Sequence, residues 1–196
     1  MKHRILAVAG ALVCAAALAA PKLLENIPLK WSPTQGFAEL GPLDVGGPLL
    51  TARVRFELLG DTRQNPSLIA ENREKAQPRP VTTNESVADF VTQHLKDTVH
   101  GAGVNVVEDG GDVSISGEIS EFFVAETNQY HGNLSMLLHV KVKGKEVWSG
   151  VITGGAENFG RSYKADNYYE TMSNMVLAAA HNLLASAALH DALTKH

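Results

Sequence analysis

Between Val113 and Ile152 apolar residues fall on alternate positions, and this two-residue period constrains the fold more than any other feature. Val113, Ile115 and Ile119 alternate with Ser114, Ser116 and Glu118. Met136, Leu138, Val140 and Val142 keep the same spacing, with His139, Lys141 and Lys143 between them. Successive side chains of a strand point to opposite faces, so each run predicts a strand with one buried face. Lys143-Gly144-Lys145 then joins the run over 134–142 to a further one over 147–152. So short a loop forces antiparallel pairing.

Outside this block the period changes twice to that of a helix. Val87, Phe90, Val91, Leu95 and Val99 return at spacings of three and four, with Thr83 or Asn84 as the N-terminal cap and Gly101 and Gly103 as the stop. Tyr168, Met172, Met175, Val176, Ala179, Leu183 and Leu184 do the same over 167–186, with Asp166 as the expected cap and a short turn around Leu189 to Leu193 closing the chain. Val54, Phe56 and Leu58 alternate with Arg55 and Glu57, which predicts a first strand over 49–58. The stretch 104–107 predicts a short second one.

Together these elements predict an α+β domain over residues 49–196. Its mostly antiparallel sheet has about five strands, with the two main helices on one face in the order β-α-β-β-β-β-α. A polar stretch from Gly60 to Pro80 reads as a long loop, mobile or functional. Residues 20–48 hold Pro21, Pro28, Pro33, Pro42 and Pro48. Such a run removes backbone donors and fixes φ repeatedly, which predicts an arm or tether without regular elements, where Trp31, Phe37 and Leu40 are available to dock.

The N-terminus carries an address. Lys2, His3 and Arg4 precede a compact apolar run over 5–13, and Ala17-Leu18-Ala19 places small residues where a signal peptidase cuts, so residues 1–19 read as a signal peptide. The run is shorter than the roughly 20 apolar residues needed to cross a bilayer. Cys14 is the lipidation candidate, with Leu12 in an accepted position and Val13 where the lipoprotein motif takes Gly, Ala or Ser. The alternative is that Cys14 leaves with the signal. In that case the secreted chain has no cysteine and is held by its core alone, because Cys14 is the single cysteine of the sequence.

The net charge of the sequence is −4, from 17 basic and 21 acidic residues. Loss of Lys2 and Arg4 with the signal makes the remainder more acidic. That balance argues against a nucleic acid partner, whose phosphates need a concentrated basic surface.

Motifs for chemistry are missing from the sequence. Of the eight histidines, no pair has the i, i+4 spacing of a helical zinc motif, so no metal and no cofactor are expected. Neither G-x-S-x-G nor S-x-x-K occurs, and no catalytic residue is assigned. Gly154-Gly155 and Gly160-Arg161-Ser162 lack phosphate-loop spacing and read as a bulge and a loop. Arg161, Tyr163, Tyr168 and Tyr169 form an aromatic and basic cluster near a helix start. It reads either as a partner-binding patch or as a cover for the edge of the core.

The order of features is also familiar. The stretch Val81-Thr82-Thr83-Asn84-Glu85-Ser86-Val87-Ala88-Asp89-Phe90-Val91 leads through Gly101-Ala102-Gly103 to Gly117-Glu118-Ile119, then to Val147-Trp148-Ser149-Gly150 and Tyr163-Lys164-Ala165-Asp166-Asn167-Tyr168. In this the chain resembles the YajG-like bacterial envelope lipoproteins and, more loosely, the auxiliary lipoproteins of ABC-type lipid transport systems. The resemblance implies a Gram-negative periplasmic or outer-membrane location, no catalytic residue, and a role in assembly, transport or partner binding. The implied partner is an envelope protein or lipid assembly. Carriage of a lipid or peptidoglycan fragment is the alternative reading, and a hydrolase built from distant residues the third.

Overall fold

The computed structural model describes residues 23–43, 45 and 47–196; the expected signal segment and Cys14 lie outside the described residues. Along the chain a 3-10 turn, Phe37–Leu40, and a short helix α1 (Gly47–Thr51) precede β1 (Arg53–Phe56), β2 (Gly60–Asp61), β3 (Leu68–Asn72) and β4 (Arg79–Thr82). There follow α2 (Val87–Gly101), β5 (Asn105–Val106), β6 (Val113–Glu126), β7 (Tyr130–Val142), β8 (Lys145–Asn158), α3 (Ala165–Leu184) and α4 (Ala187–Thr194).

The alternating block folds as its period dictates. β6, β7 and β8 form an antiparallel meander, and Lys143 (φ 49°) and Gly144 (φ 82°) both take the positive φ that a tight two-residue hairpin turn demands. The free edge of β6 then serves as a spine for three short strands laid end to end. β1 pairs in parallel at Val54 to Phe56, β2 at Gly60 and Asp61, and β3 at Ala70 to Asn72. β5 lies in parallel outside β1, and β4 lies antiparallel outside β3. The long pairings are antiparallel. The short parallel ones are topologically allowed because α2 provides the crossover that parallel neighbours require.

Among the described residues, eight strands replace the expected five. The difference lies in the stretch 60–82, read from sequence as a loop, which holds β2, β3 and β4. β3 buries Ile69, Ala70 and Asn72 without alternating, and β4 contains Pro80, which an edge strand tolerates because one row of its amides needs no strand partner. Arg63 ties the stretch down. Its guanidinium grips both oxygens of Asp61, at 2.8 and 2.7 Å, and donates to the carbonyls of Pro66 (2.7 Å), Leu68 (3.2 Å) and Phe122 (3.3 Å).

Smaller boundaries move for local reasons. The first strand begins at Arg53, because Gly47–Thr51 is helical, and its alternation fails after Phe56: Leu58 is 63% exposed and Leu59 is buried. α2 is capped by Ser86, whose Oγ accepts from the Asp89 amide at 3.1 Å, while Thr83 caps only the Glu85 amide. Asp166 lies inside the first turn of α3, whose N-cap is Lys164. Gly154 and Gly155 are neither bulge nor loop but interior residues of β8.

Both main helices cover the same face of the sheet. Phe90 of α2 meets Phe122 of β6 edge-on with centroids 6.1 Å apart. α3 lies across β7 and β8, and a Cβ on Gly132 would come within 2.8 Å of Thr171 Cγ2. The proline-rich segment is docked by a backbone bridge to β4 and by bonds to side chains of α3, and it holds one regular turn, Phe37–Leu40, where none was expected. Leu24 and Ile27 are buried, Leu24 forms a bridge with Val81, the Ser32 amide donates to Ser173 Oγ (2.8 Å) and the Thr34 amide to Asn174 Oδ1 (3.0 Å). Consequently α3 is buried on its polar side as well, with Ser173 and Asn174 almost inaccessible. Among the described residues the opposite face of the sheet carries no helix.

Candidate functional site

Near the start of α3, Tyr163 and Tyr168 are brought together with a buried acid of β6. β6 ends on Glu126, which continues the inward parity of Phe122 and Val124 and is 1% exposed. Its Oε2 accepts a short hydrogen bond from the Tyr168 hydroxyl, and its Oε1 accepts from the Tyr163 amide at 2.8 Å. A buried carboxylate must be hydrogen-bonded to be tolerated, and these two donors serve it from the loop and first turn of α3. An acid at an inward position of an alternating strand is the signal that could have found it.

Three tyrosines surround this carboxylate. Tyr130 and Tyr168 meet edge to face, with centroids 4.9 Å apart at 88°. The Tyr130 hydroxyl donates to the Arg161 carbonyl (2.7 Å) and accepts from Asn167 Nδ2 (3.2 Å). Tyr163 holds φ at 55°, unusual for a bulky residue, and its hydroxyl donates to the Pro80 carbonyl (3.0 Å) while accepting from the Leu24 amide (3.1 Å). The Arg79 guanidinium lies 3.9 Å from its ring centroid. Burial, followed by the Glu126 hydrogen bond and charge, pushes the Tyr168 phenol far above its ordinary pKa. Burial raises Tyr130 as well.

This arrangement is a sealed clamp. The hydroxyls of Tyr130, Tyr163 and Tyr168 and both Glu126 oxygens are hydrogen-bonded within the protein, and the clamp joins β4, β6, the β8–α3 loop and α3. Of the four residues marked for partner binding, Tyr168 and Tyr169 are buried, with Lys30 Nζ 5.3 Å from the Tyr169 ring centroid. Tyr163 is half-buried, and Arg161 alone is fully on the surface. The structure therefore splits the patch. Tyr163 and Tyr168 turn inward to hydroxyl partners, whereas Tyr169 is held by its packing.

Two other regions remain open to solvent. A groove of about 440 Å³ runs between the docked arm and α2, walled by Trp31, Pro33, Phe37 and Leu177, with His94 and Asp97 at its polar side. Trp31 stacks on His94, centroids 4.1 Å apart and nearly parallel, and burial lowers the His94 pKa against a smaller raising effect of Asp97. The second region is the helix-free face of the sheet. There Leu137 of β7 stands opposite Val151 of β8, which is 63% exposed. His131 faces Glu157 at 3.4 Å, and His139 faces Glu146 at 3.1 Å. Among the described residues no three His, Cys, Asp or Glu side chains converge as metal ligands, and no single helix is long and apolar enough to cross a membrane.

No family model and no curated protein matches the sequence. Similarity appears at the level of structure. Protein XCC0632 from Xanthomonas campestris, of the DUF330 family, superposes with a TM-score of 0.55 at 8% identity, covering 74% of this chain and 88% of that one. A hypothetical protein from Chlamydia trachomatis gives a TM-score of 0.48 at 8% identity, over 73% and 98% of the two chains. A candidate lipoprotein from Caulobacter crescentus gives 0.44 at 10% identity, over 64% and 89%. The first of these establishes a shared fold.

Proposed function

We propose that this chain is a non-enzymatic protein of the Gram-negative cell envelope, periplasmic or tethered to the outer membrane, which acts by binding a partner in assembly or transport. The observation that carries the reading is the one-sided cover of the sheet. Two helices and the docked arm occupy one face, while the other offers a broad surface of cross-strand pairs centred on Leu137 and Val151. The Glu126 oxygens are both occupied by donors of the protein itself, which supports a structural use for this cluster rather than a catalytic one. The basic and apolar start ending at Ala17-Leu18-Ala19 supports export.

Intact mass of the protein, expressed from its own N-terminus in a Gram-negative host and collected from membrane and periplasmic fractions, tests the location. A membrane-bound chain beginning at Cys14 with acyl mass, or a periplasmic chain beginning near Ala20, is the expected result. A chain retaining its signal residues in the cytosol overturns it.

The groove beside Trp31 favours a second reading, carriage of an apolar ligand, because its volume is in the range of small-molecule sites and its walls are largely apolar. Native mass spectrometry of the purified protein separates the two: copurified lipid favours carriage, and a bare protein mass favours partner binding.

A further inference from the structure

β8 is the long strand whose second edge pairs with nothing among the described residues. At the opposite side of the sheet, β4 has its outer edge occupied by Leu24 and by the bond from the Ile27 amide to the Thr82 carbonyl (2.8 Å). β5 has only two residues.

The direction of the backbone groups along the β8 edge follows from the hairpin. In a two-residue hairpin the flanking residues, Val142 and Lys145, form a hydrogen-bonded pair, and the same class then recurs at alternate positions of β7. Val140, Leu138, Met136 and Leu134 therefore bond to Trp148, Gly150, Ile152 and Gly154. Ser149, Val151, Thr153 and Gly155 turn their N–H and C=O groups outward. Thr153 bears this out independently, since its carbonyl accepts from Asn182 Nδ2 at 2.8 Å.

The outward residues are self-complementary about Val151. Laid antiparallel against a second β8 with a two-fold axis at Val151, the two Val151 residues form a hydrogen-bonded pair and cover each other's exposed side chains. Ser149 then stands opposite Thr153 of the second copy, and Thr153 opposite Ser149. The hydrogen-bond parity closes, because Val151 with Val151 and Ser149 with Thr153 each join two outward residues. The Thr153 carbonyl keeps a second lone pair for the incoming Ser149 amide. The irregularity between Trp148 and Glu146 limits the paired stretch to 148–154.

We propose that a second copy of this chain docks on β8 by antiparallel strand addition about a two-fold axis at Val151, joining the two sheets edge to edge. The pairing is independent of where the protein resides.

The test uses the full chain. Sedimentation of the unaltered protein between about 1 and about 100 µM is expected to show a concentration-dependent dimer. Val151→Asp, which sets two like charges at the axis, is expected to remain monomeric throughout. In a Cys14→Ser background, Val151→Cys supplies the only thiol, and the Cα separation of about 5.5 Å in a hydrogen-bonded antiparallel pair lets it oxidise to a covalent dimer. Asp109→Cys, on an exposed turn, is the control expected to stay uncrosslinked. Circular dichroism checks that Val151→Asp is folded; if it is not, the cysteine pair decides. A monomer across the whole range, an oligomer that persists in folded Val151→Asp, or equal crosslinking at Val151→Cys and Asp109→Cys overturns the proposal.

Discussion

Gly154 lies directly beneath the backbone of α3, so close that a Cβ built on it would stand 1.9 Å from the Met175 carbonyl oxygen and 2.7 Å from the Ala179 nitrogen. The helix rests on this strand because the side chain is missing. Its neighbour Gly155 points to the other face, where a Cβ would meet nothing nearer than the Gly132 carbonyl at 4.0 Å.

Gly154→Ala is therefore expected to force α3 away from β8 and to destabilise the protein by about 3 kcal/mol or more, at the upper end of overpacking costs. Gly155→Ala is expected to change stability by less than about 0.5 kcal/mol, as surface substitutions do. Urea denaturation of the two variants reads the difference; equal losses would mean that the glycines serve backbone flexibility rather than helix contact.

The clamp at Glu126 gives a second expectation. Tyr168→Phe removes the hydroxyl that serves Glu126 Oε2 and leaves a buried carboxylate oxygen without that donor, at a cost of about 1–3 kcal/mol. In the folded chain the phenol keeps its proton well above the ordinary value of 10.0, because burial and then Glu126 oppose its ionisation. Its stabilising share is therefore complete below pH 10 and falls as pH rises beyond it, where only the unfolded chain ionises. Denaturation midpoints between neutral and alkaline pH should drop more steeply for the parent protein than for Tyr168→Phe.

Much of this fold is legible in the sequence, and the places where it is not share a physical cause. β6, β7 and the core of α2 and α3 are half-buried elements of full length, and periodicity reports such elements well. β2 and β5 have two residues each, too few to show a period. β3 is buried on both sides at Ile69 and Ala70, and β4 carries a proline. The clamp is half visible: Tyr163 and Tyr168 cluster in the sequence, but Tyr130 lies on β7 and Glu126 is 42 positions from Tyr168 along the chain. The docked arm was legible only through its aromatic residues, because prolines remove the periodicity that announces an element while leaving side chains free to pack.

Trp31 and His94 provide a test of that docking. Burial beneath the indole lowers the His94 pKa below its ordinary 6.5. The packing of a neutral imidazole therefore contributes stability that is present above pH 6.5 and lost as pH falls through the lower, folded value. In a Trp148→Phe background, which leaves Trp31 as the only tryptophan, indole fluorescence should shift to the red in that acidic window. His94→Phe should abolish the shift. A shift that survives in His94→Phe would assign it to another group.

Arg63 decides whether the stretch 60–82 is structure or loop. Its side chain is 7% exposed, and it unites Asp61 with the carbonyls of Pro66, Leu68 and Phe122. Arg63→Ala removes the cation from a nearly buried pair and strands the Asp61 carboxylate, so a loss of about 3–5 kcal/mol is expected. Arg63→Lys should recover only part of it, because an ammonium cannot reproduce the two-point contact with Asp61. Burial alone would raise the Asp61 pKa, but the hydrogen bonds and charge of Arg63 outweigh it and hold the group below its ordinary 3.8. The pair's contribution is thus present above that value and disappears as pH falls through the folded one. Amide hydrogen exchange of residues 68–82 should show β3 and β4 losing protection in Arg63→Ala while β7 and β8 keep theirs. Uniform loss across the sheet would instead make Arg63 a support of the whole fold.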